Sequence, residues 1–156
     1  MNIRDNPRVY IPPPLIYIAI FAVSFFLQKK VAINDSMFKK QFILGAGIIF
    51  FILALFFIAR SLLQFIRSEN TVVTIKGASS LQTNGIFEIT RNPMYLGLVM
   101  VYLGLTCLIG NWWNLIFLPF LLLIIQEYVI KREEKYLERK FGQEYTAYKQ
   151  VVRRWL

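Results

Sequence analysis

The chain has 156 residues, 56% of them hydrophobic, with a mean hydropathy of +0.49 and a formal net charge of +9. Those values place it among membrane proteins rather than ordinary soluble domains. It has no histidine and a single cysteine, Cys107, which excludes histidine-based triads, histidine-ligated zinc and an intrachain disulfide; no metal site is expected.

Residues 1–10 are a polar arm without the charged start and small-residue cleavage pattern of a signal peptide, so the first span should be retained. Pro12-Pro13-Pro14 opens the first helix, where missing N–H groups cost little. Apolar runs cover 11–28, 42–59, 94–110 and 112–130. At 1.5 Å per residue, the first two suffice for a bilayer core of roughly 30 Å. The expected fold is all-α and polytopic, with about four transmembrane helices and a cytoplasmic amphipathic C-terminal helix. The first two helices should form a hairpin of lipid-facing scaffold, with Gly45 and Gly47 permitting close packing. From Arg60 to Arg67 the second helix emerges at the interface.

Residues 71–75 (Thr-Val-Val-Thr-Ile) have the composition of a short strand, and Lys76 to Ser80 read as a loop. Asn92-Pro93 is a helix start: asparagine caps the free N–H groups and proline occupies the first helical position. Two apolar helices follow as a tight hairpin, whose turn carries Trp112 and Trp113 as an aromatic belt does. Cys107 lies inside the first of them and reads as a packing residue. In the tail, Ile130, Leu137, Phe141, Tyr145 or Tyr148, Val152 and Trp155 recur at helical spacing, with Gly142 as a break or kink. The chain divides into a scaffold half, 1–68, and a candidate site half, 69–156, of a single domain.

Four traverses would put fourteen of the eighteen basic residues on one side: the N-terminal arm, the 60–93 segment and the tail. The 29–41 loop holds the other four. Under the positive-inside rule both termini are cytoplasmic, and the basicity needs no nucleic-acid partner.

Adjacent helical positions point about 100° apart, so Glu133 and Glu134 do not share a face, yet both flank the apolar stripe and at least one should point inward. A buried carboxylate needs a cation or several donors. A salt bridge to Arg91 or Arg132 is the structural alternative to a bound ligand. Arg91, just before a helix start, suits a carboxylate or phosphate, or else snorkels to headgroups. Tyr95, one turn into that helix, either stacks on a flat ring or packs. With Phe87 as a further wall, these residues describe a pocket at the cytoplasmic surface with an anion-binding end and an acid end. A zwitterionic amino-acid moiety carrying a base, such as S-adenosylmethionine, would fit it.

The second half resembles the isoprenylcysteine carboxyl methyltransferase and phospholipid methyltransferase superfamily. The resemblance rests on Leu81-x-Thr83-x-Gly85-x-Phe87, Arg91-x-Pro93-x-Tyr95-x-Gly97, Glu133-Glu134-x-x-Leu137 and Phe141-Gly142-x-x-Tyr145-x-x-Tyr148-x-x-x-Val152-x-Arg154, in that order. It implies an S-adenosylmethionine site built from Ser79, Ser80, Leu81 and Gln82, then Phe87, then Asn92, Pro93, Met94 and Tyr95, and the acid Glu133. Glu134 completes the family's acid pair, and with Arg91 it is the expected catalytic pair. The implied function is methyl transfer to a lipid or other apolar acceptor at a bacterial inner membrane. Two positions depart from the family: Asn92 stands where histidine is frequent, which excludes proton transfer there, and Val129 stands where prenylcysteine enzymes carry an arginine. The alternatives are a non-catalytic membrane scaffold and an NADPH-linked reductase, since the family also resembles the C-terminal part of membrane sterol reductases.

Overall fold

The structure is a computed structural model that describes residues 6–68 and 78–156. The strand expected at 71–75, and the first residues of the loop after it, lie outside the described residues. Everything described is helix, turn or irregular chain.

The helices follow the apolar runs. Pro13–Lys30 (α1) begins behind its proline run. Gln41–Arg67 (α2) carries on past the apolar run into the Arg60–Arg67 segment, and Pro93–Ile109 (α3) begins at Pro93 as expected. Trp112–Ile124 (α4) runs through a π-helical stretch, Ile125–Ile130, into Lys131–Phe141 (α5). A π-bulge inserts a residue and re-aims the faces beyond it, and such bulges are common at functional sites. At Gly142 φ is +54° and ψ −121°, a conformation in effect reserved for glycine, and Gln143–Val151 (α6) turns away there. The break predicted at Gly142 is therefore present.

Among the described residues two helices are long and apolar enough to cross a membrane, α2 and the continuous Trp112–Phe141; α3 is a shorter apolar helix. The 18 residues of α1 end in Gln28, Lys29 and Lys30, which dilute its apolar content.

The expected hairpin of the first two helices is not the pairing observed. α1 packs chiefly against α4, and α2 against α3. Apolar helices carry no sequence label for their partner; small residues decide where backbones can approach. On α3, a Cβ at Gly97 would lie 2.6 Å from Ile58 Cγ1, and one at Gly104 would lie 2.9 Å from the Phe51 ring. A Cβ at Gly47 would lie 3.1 Å from Cys107 Cβ, so Gly47 and Cys107 pack as expected. Gly45 does not: nothing lies within 4 Å of its would-be Cβ.

The chain's segments gather at two ends. At one end the indole N–H groups of Trp112 and Trp113 donate to the carbonyls of Asn34 and Val31, both at 2.9 Å. Asn111 caps α4, accepting from Trp113 N at 2.9 Å. At the other end lie the N-terminal arm, the segment before α3, α5 and the tail.

Candidate active site

The two acids at the start of α5 lie beyond the apolar stretch that ends at Ile130, and they face different partners. Glu133 Oε1 accepts the Tyr95 hydroxyl at 2.6 Å. That bond joins the first turn of α3 to the first turn of α5. Glu133 is half-buried. Loss of solvation on burial, with the neighbouring charge of Glu134 adding to it, lifts its carboxyl to about 7 against the opposing pull of the Tyr95 bond.

Glu134 is buried, with 7% of its surface exposed, and is held by two guanidiniums. Arg154 forks onto it, Nε to Oε1 at 3.0 Å and Nη2 to Oε2 at 2.7 Å. Arg91 Nη2 reaches Oε1 at 3.2 Å. The expected catalytic pair is thus in direct contact as a salt bridge. Arg132, the other cation offered as partner, instead lies over the Tyr128 ring at 4.4 Å and donates to the Arg8 carbonyl at 2.9 Å.

Arg91 has two further donors. Its side chain is only 9% exposed, and its Nε and Nη1 have no partner among the described residues. A buried N–H without an acceptor costs about 1–3 kcal/mol, so a planar fork left open in this way is fitted to an anion.

Asn92 occupies the N-cap position of α3, but its side chain makes no capping bond. Its Nδ2 donates to the Arg154 carbonyl at 2.8 Å, and its backbone N–H donates to Thr90 Oγ1 at 3.2 Å. The capping role expected of Asn92 is corrected here: a buried side-chain amide beside an orphan carbonyl bonds the carbonyl. Thr90 Oγ1 also donates to the Arg154 carbonyl, at 3.1 Å, and Arg91 N donates to the Arg153 carbonyl at 3.0 Å. The C-terminal strap is thereby laced across the residues just before α3. Trp155 Nε1 donates to Gln126 Oε1, on the π-helical stretch, at 3.3 Å.

Sequence reasoning gave the strap no role. The available signal was that Arg154 closes the last motif.

The remaining expected site residues fall in two groups. Pro93 and Tyr95 are buried and Met94 half-buried in the first turn of α3. Ser79 and Ser80 are exposed, and Leu81 and Gln82 half-buried, beside the last turns of α2. There Gln82 Nε2 donates to Ser80 Oγ at 2.9 Å, and Gln64 Nε2 bonds both Gln82 Oε1, at 3.2 Å, and the Asn84 carbonyl, at 2.9 Å. Lys140 of α5 reaches the Ala78 carbonyl, which ties this loop to the acid-bearing helix. Phe87 is buried in a cluster with Phe57, Leu96, Tyr145, Tyr148 and Val152, and its carbonyl accepts the Tyr148 hydroxyl at 2.6 Å. Tyr145 and Tyr148 pack, as expected.

An all-helical membrane protein with a half-buried acid, a saturated acid and a half-satisfied arginine at one end of its bundle is the class these features define. The phospholipid methyltransferase family model matches residues 41–144, two thirds of the chain. The chain belongs to the phospholipid methyltransferase family, one of membrane methyltransferases within the superfamily that its motifs resemble. A protein of Haemophilus influenzae described only as uncharacterized is 48% identical over 63 residues, covering 40% of this chain and 100% of its own length. No solved structure matches the chain.

Proposed function

We propose that the chain is a membrane-embedded, S-adenosylmethionine-dependent methyltransferase whose acceptor is a lipid or another apolar small molecule. The observation that carries the reading is the pair of buried Arg91 donors, without a partner among the described residues, at the start of α3, near the Tyr95–Glu133 bond. Together they offer one anionic and one cationic subsite to a zwitterion. Arg91 Nε and Nη1 would take a carboxylate; Glu133 would face an ammonium or the positive charge of a sulfonium. Asn92, Pro93, Met94 and Tyr95 would form the wall at α3, Phe87 the aromatic side, and Ser79 to Gln82 the loop side.

The cofactor supplies a methyl group on a sulfonium, open to in-line displacement without a metal. The protein's part is to align acceptor and methyl and to keep water out. Glu134, paired with Arg91 and Arg154, holds Arg91 in place. An acceptor already ionised needs no base; an amine would lose its proton to Glu133 or solvent.

The whole chain would act as one domain, 1–68 as scaffold and 69–156 as the cofactor-binding half. Four traverses of an inner membrane, with both termini cytoplasmic, agree with the gathering of arm, strap and α5 at one end and of the Trp112–Trp113 turn at the other. The scaffold reading, without catalysis, is favoured by the engagement of Asn92 with the Arg154 carbonyl.

Calorimetry on detergent-solubilised protein tests the reading. S-adenosylmethionine and S-adenosylhomocysteine should bind and NADPH should not, and Arg91→Gln should weaken binding. Saturation by NADPH alone would select the reductase reading. Binding without turnover of any lipid acceptor would select the scaffold.

A further inference from the structure

Tyr136, on α5, has a side chain that is almost wholly buried, 2% exposed, and a hydroxyl with no hydrogen-bond partner among the described residues. Burying a hydroxyl without a partner is costly, so such a group calls for a partner from outside the chain.

Its place on α5 says which partner. At 100° per residue, Glu133, Tyr136 and Lys140 fall within about 60° of one another, so they share one face of the helix. Both ends of that face are tied to other elements. At one end Glu133 accepts the Tyr95 hydroxyl of α3 at 2.6 Å. At the other, Lys140 bonds the Ala78 carbonyl, at the start of the loop that carries Ser79 to Gln82, and its Nζ lies 5.7 Å from the centre of the Tyr136 ring. The face therefore runs from the acid to the loop, a length of about 10 Å at 1.5 Å per residue, with Tyr136 between the two. Helical side chains lean back towards the helix N-terminus, so the Tyr136 ring covers the turn that carries Glu133.

In the proposed function Glu133 faces the sulfonium, and the loop takes the far end of the cofactor. In S-adenosylmethionine the ribose joins the sulfonium to the adenine. A ligand laid along this face with its sulfonium at Glu133 therefore presents its ribose to the middle of the face, where Tyr136 stands. Each ribose hydroxyl can donate and accept, and so can a phenol.

We propose that the Tyr136 hydroxyl is a cofactor-binding group that bonds a ribose hydroxyl of S-adenosylmethionine, an inference that rests on the cofactor reading of this site.

Calorimetry on the full chain in detergent tests it, with S-adenosylhomocysteine and its 2′-deoxy and 3′-deoxy analogues as ligands. Wild type should bind the parent ligand more tightly than at least one of the analogues. Tyr136→Phe should lose roughly 3–10-fold in affinity for the parent, the worth of one hydrogen bond. It should lose little for that analogue, because two changes that remove the same bond do not add. Melting of the ligand-free chain separates a structural role. Removing a hydroxyl that bonds nothing in the chain leaves the ligand-free melting temperature unchanged or raised, whereas removing one bonded within the chain lowers it. Wild-type affinity for the parent in Tyr136→Phe, an equal loss for the parent and both analogues, or a lowered ligand-free melting temperature would each overturn the assignment while leaving the methyltransferase reading in place. Failure of wild type itself to bind the parent ligand would end both.

Discussion

The Tyr95 hydroxyl donates to Glu133 at 2.6 Å, while the adjacent Glu134 turns to Arg91 and Arg154. Two neighbouring carboxylates thus have opposite fates. Glu134 is a structural anion locked by guanidiniums, and Glu133 keeps a raised affinity for protons and so for other cations.

Arg154 should matter to stability more than its place beyond the last helix, α6, suggests. Removing one partner of a buried ion pair costs about 3–5 kcal/mol. The Arg154 side chain is 29% exposed, which reduces that to about 2 kcal/mol for Arg154→Gln. Arg154→Lys should recover only part, because lysine cannot fork onto both oxygens. Thermal melting of the two variants against wild type checks this, and a melt unchanged in Arg154→Gln would mean that the strap does not bear on Glu134.

At Asn92 the bonding pattern separates two accounts. A capping residue tolerates Asp and Ser alike. A donor to the Arg154 carbonyl does not: Asp would set a carboxylate against a carbonyl oxygen, whereas Ser could still donate. Asn92→Asp should therefore melt below Asn92→Ser, with a cost of about 1–3 kcal/mol. Equal melting of the two would restore the cap.

Much of this architecture was legible because apolar length is a strong signal. Pro93 marked the start of α3, and Gly142 marked its own break. What the sequence hid was pairing. Four apolar helices look alike, and the residues that chose partners, Gly97 and Gly104 against Ile58 and Phe51, are legible only once both faces are known. At the site, the inward placing of the acids followed from the stripe they flank. The division of labour between them did not, because it depends on Arg154, which lies beyond the turn at Gly142. Asn92 was misjudged for a related reason: a capping preference is local, and a buried carbonyl from the strap outcompeted it.

The α2–α3 contact gives a direct test of that pairing. Gly97→Ala would push a methyl to 2.6 Å from Ile58 Cγ1 and should cost about 1–3 kcal/mol. Ile58→Ala in the same chain should recover part of the loss, since the two residues share one contact. Strict additivity of the two substitutions would place the helices in some other register. Gly45→Ala, facing open space, should be close to neutral.

Topology follows from the charge count. A reporter fused after Leu156 should read cytoplasmic, and one inserted between Trp112 and Trp113 external. The opposite pattern would remove the candidate site from the cytosolic cofactor pool.

The last expectation concerns Glu133 and pH. Unfolded, its carboxyl ionises near 4.5; folded, burial holds it at about 7. The folded chain therefore binds the proton more tightly, and the resulting stabilisation is complete below pH 4.5 and is lost as pH rises towards 7. Glu133→Gln removes the titrating group, so its melting temperature should fall less than that of wild type between pH 5 and pH 8. Binding of a cationic ligand runs in the other direction. The ligand needs the ionised carboxylate, so wild-type affinity for S-adenosylmethionine should rise through pH 7 and level off above it. In Glu133→Gln affinity should be weaker, by roughly 2–5 kcal/mol if the subsite is fully desolvated, and flat across that range. Both arms can be measured on the same preparations, by melting and by calorimetry. If the variant binds with wild-type affinity and keeps the wild-type pH slope, the cation is held elsewhere, and the Tyr95 bond has only a structural role.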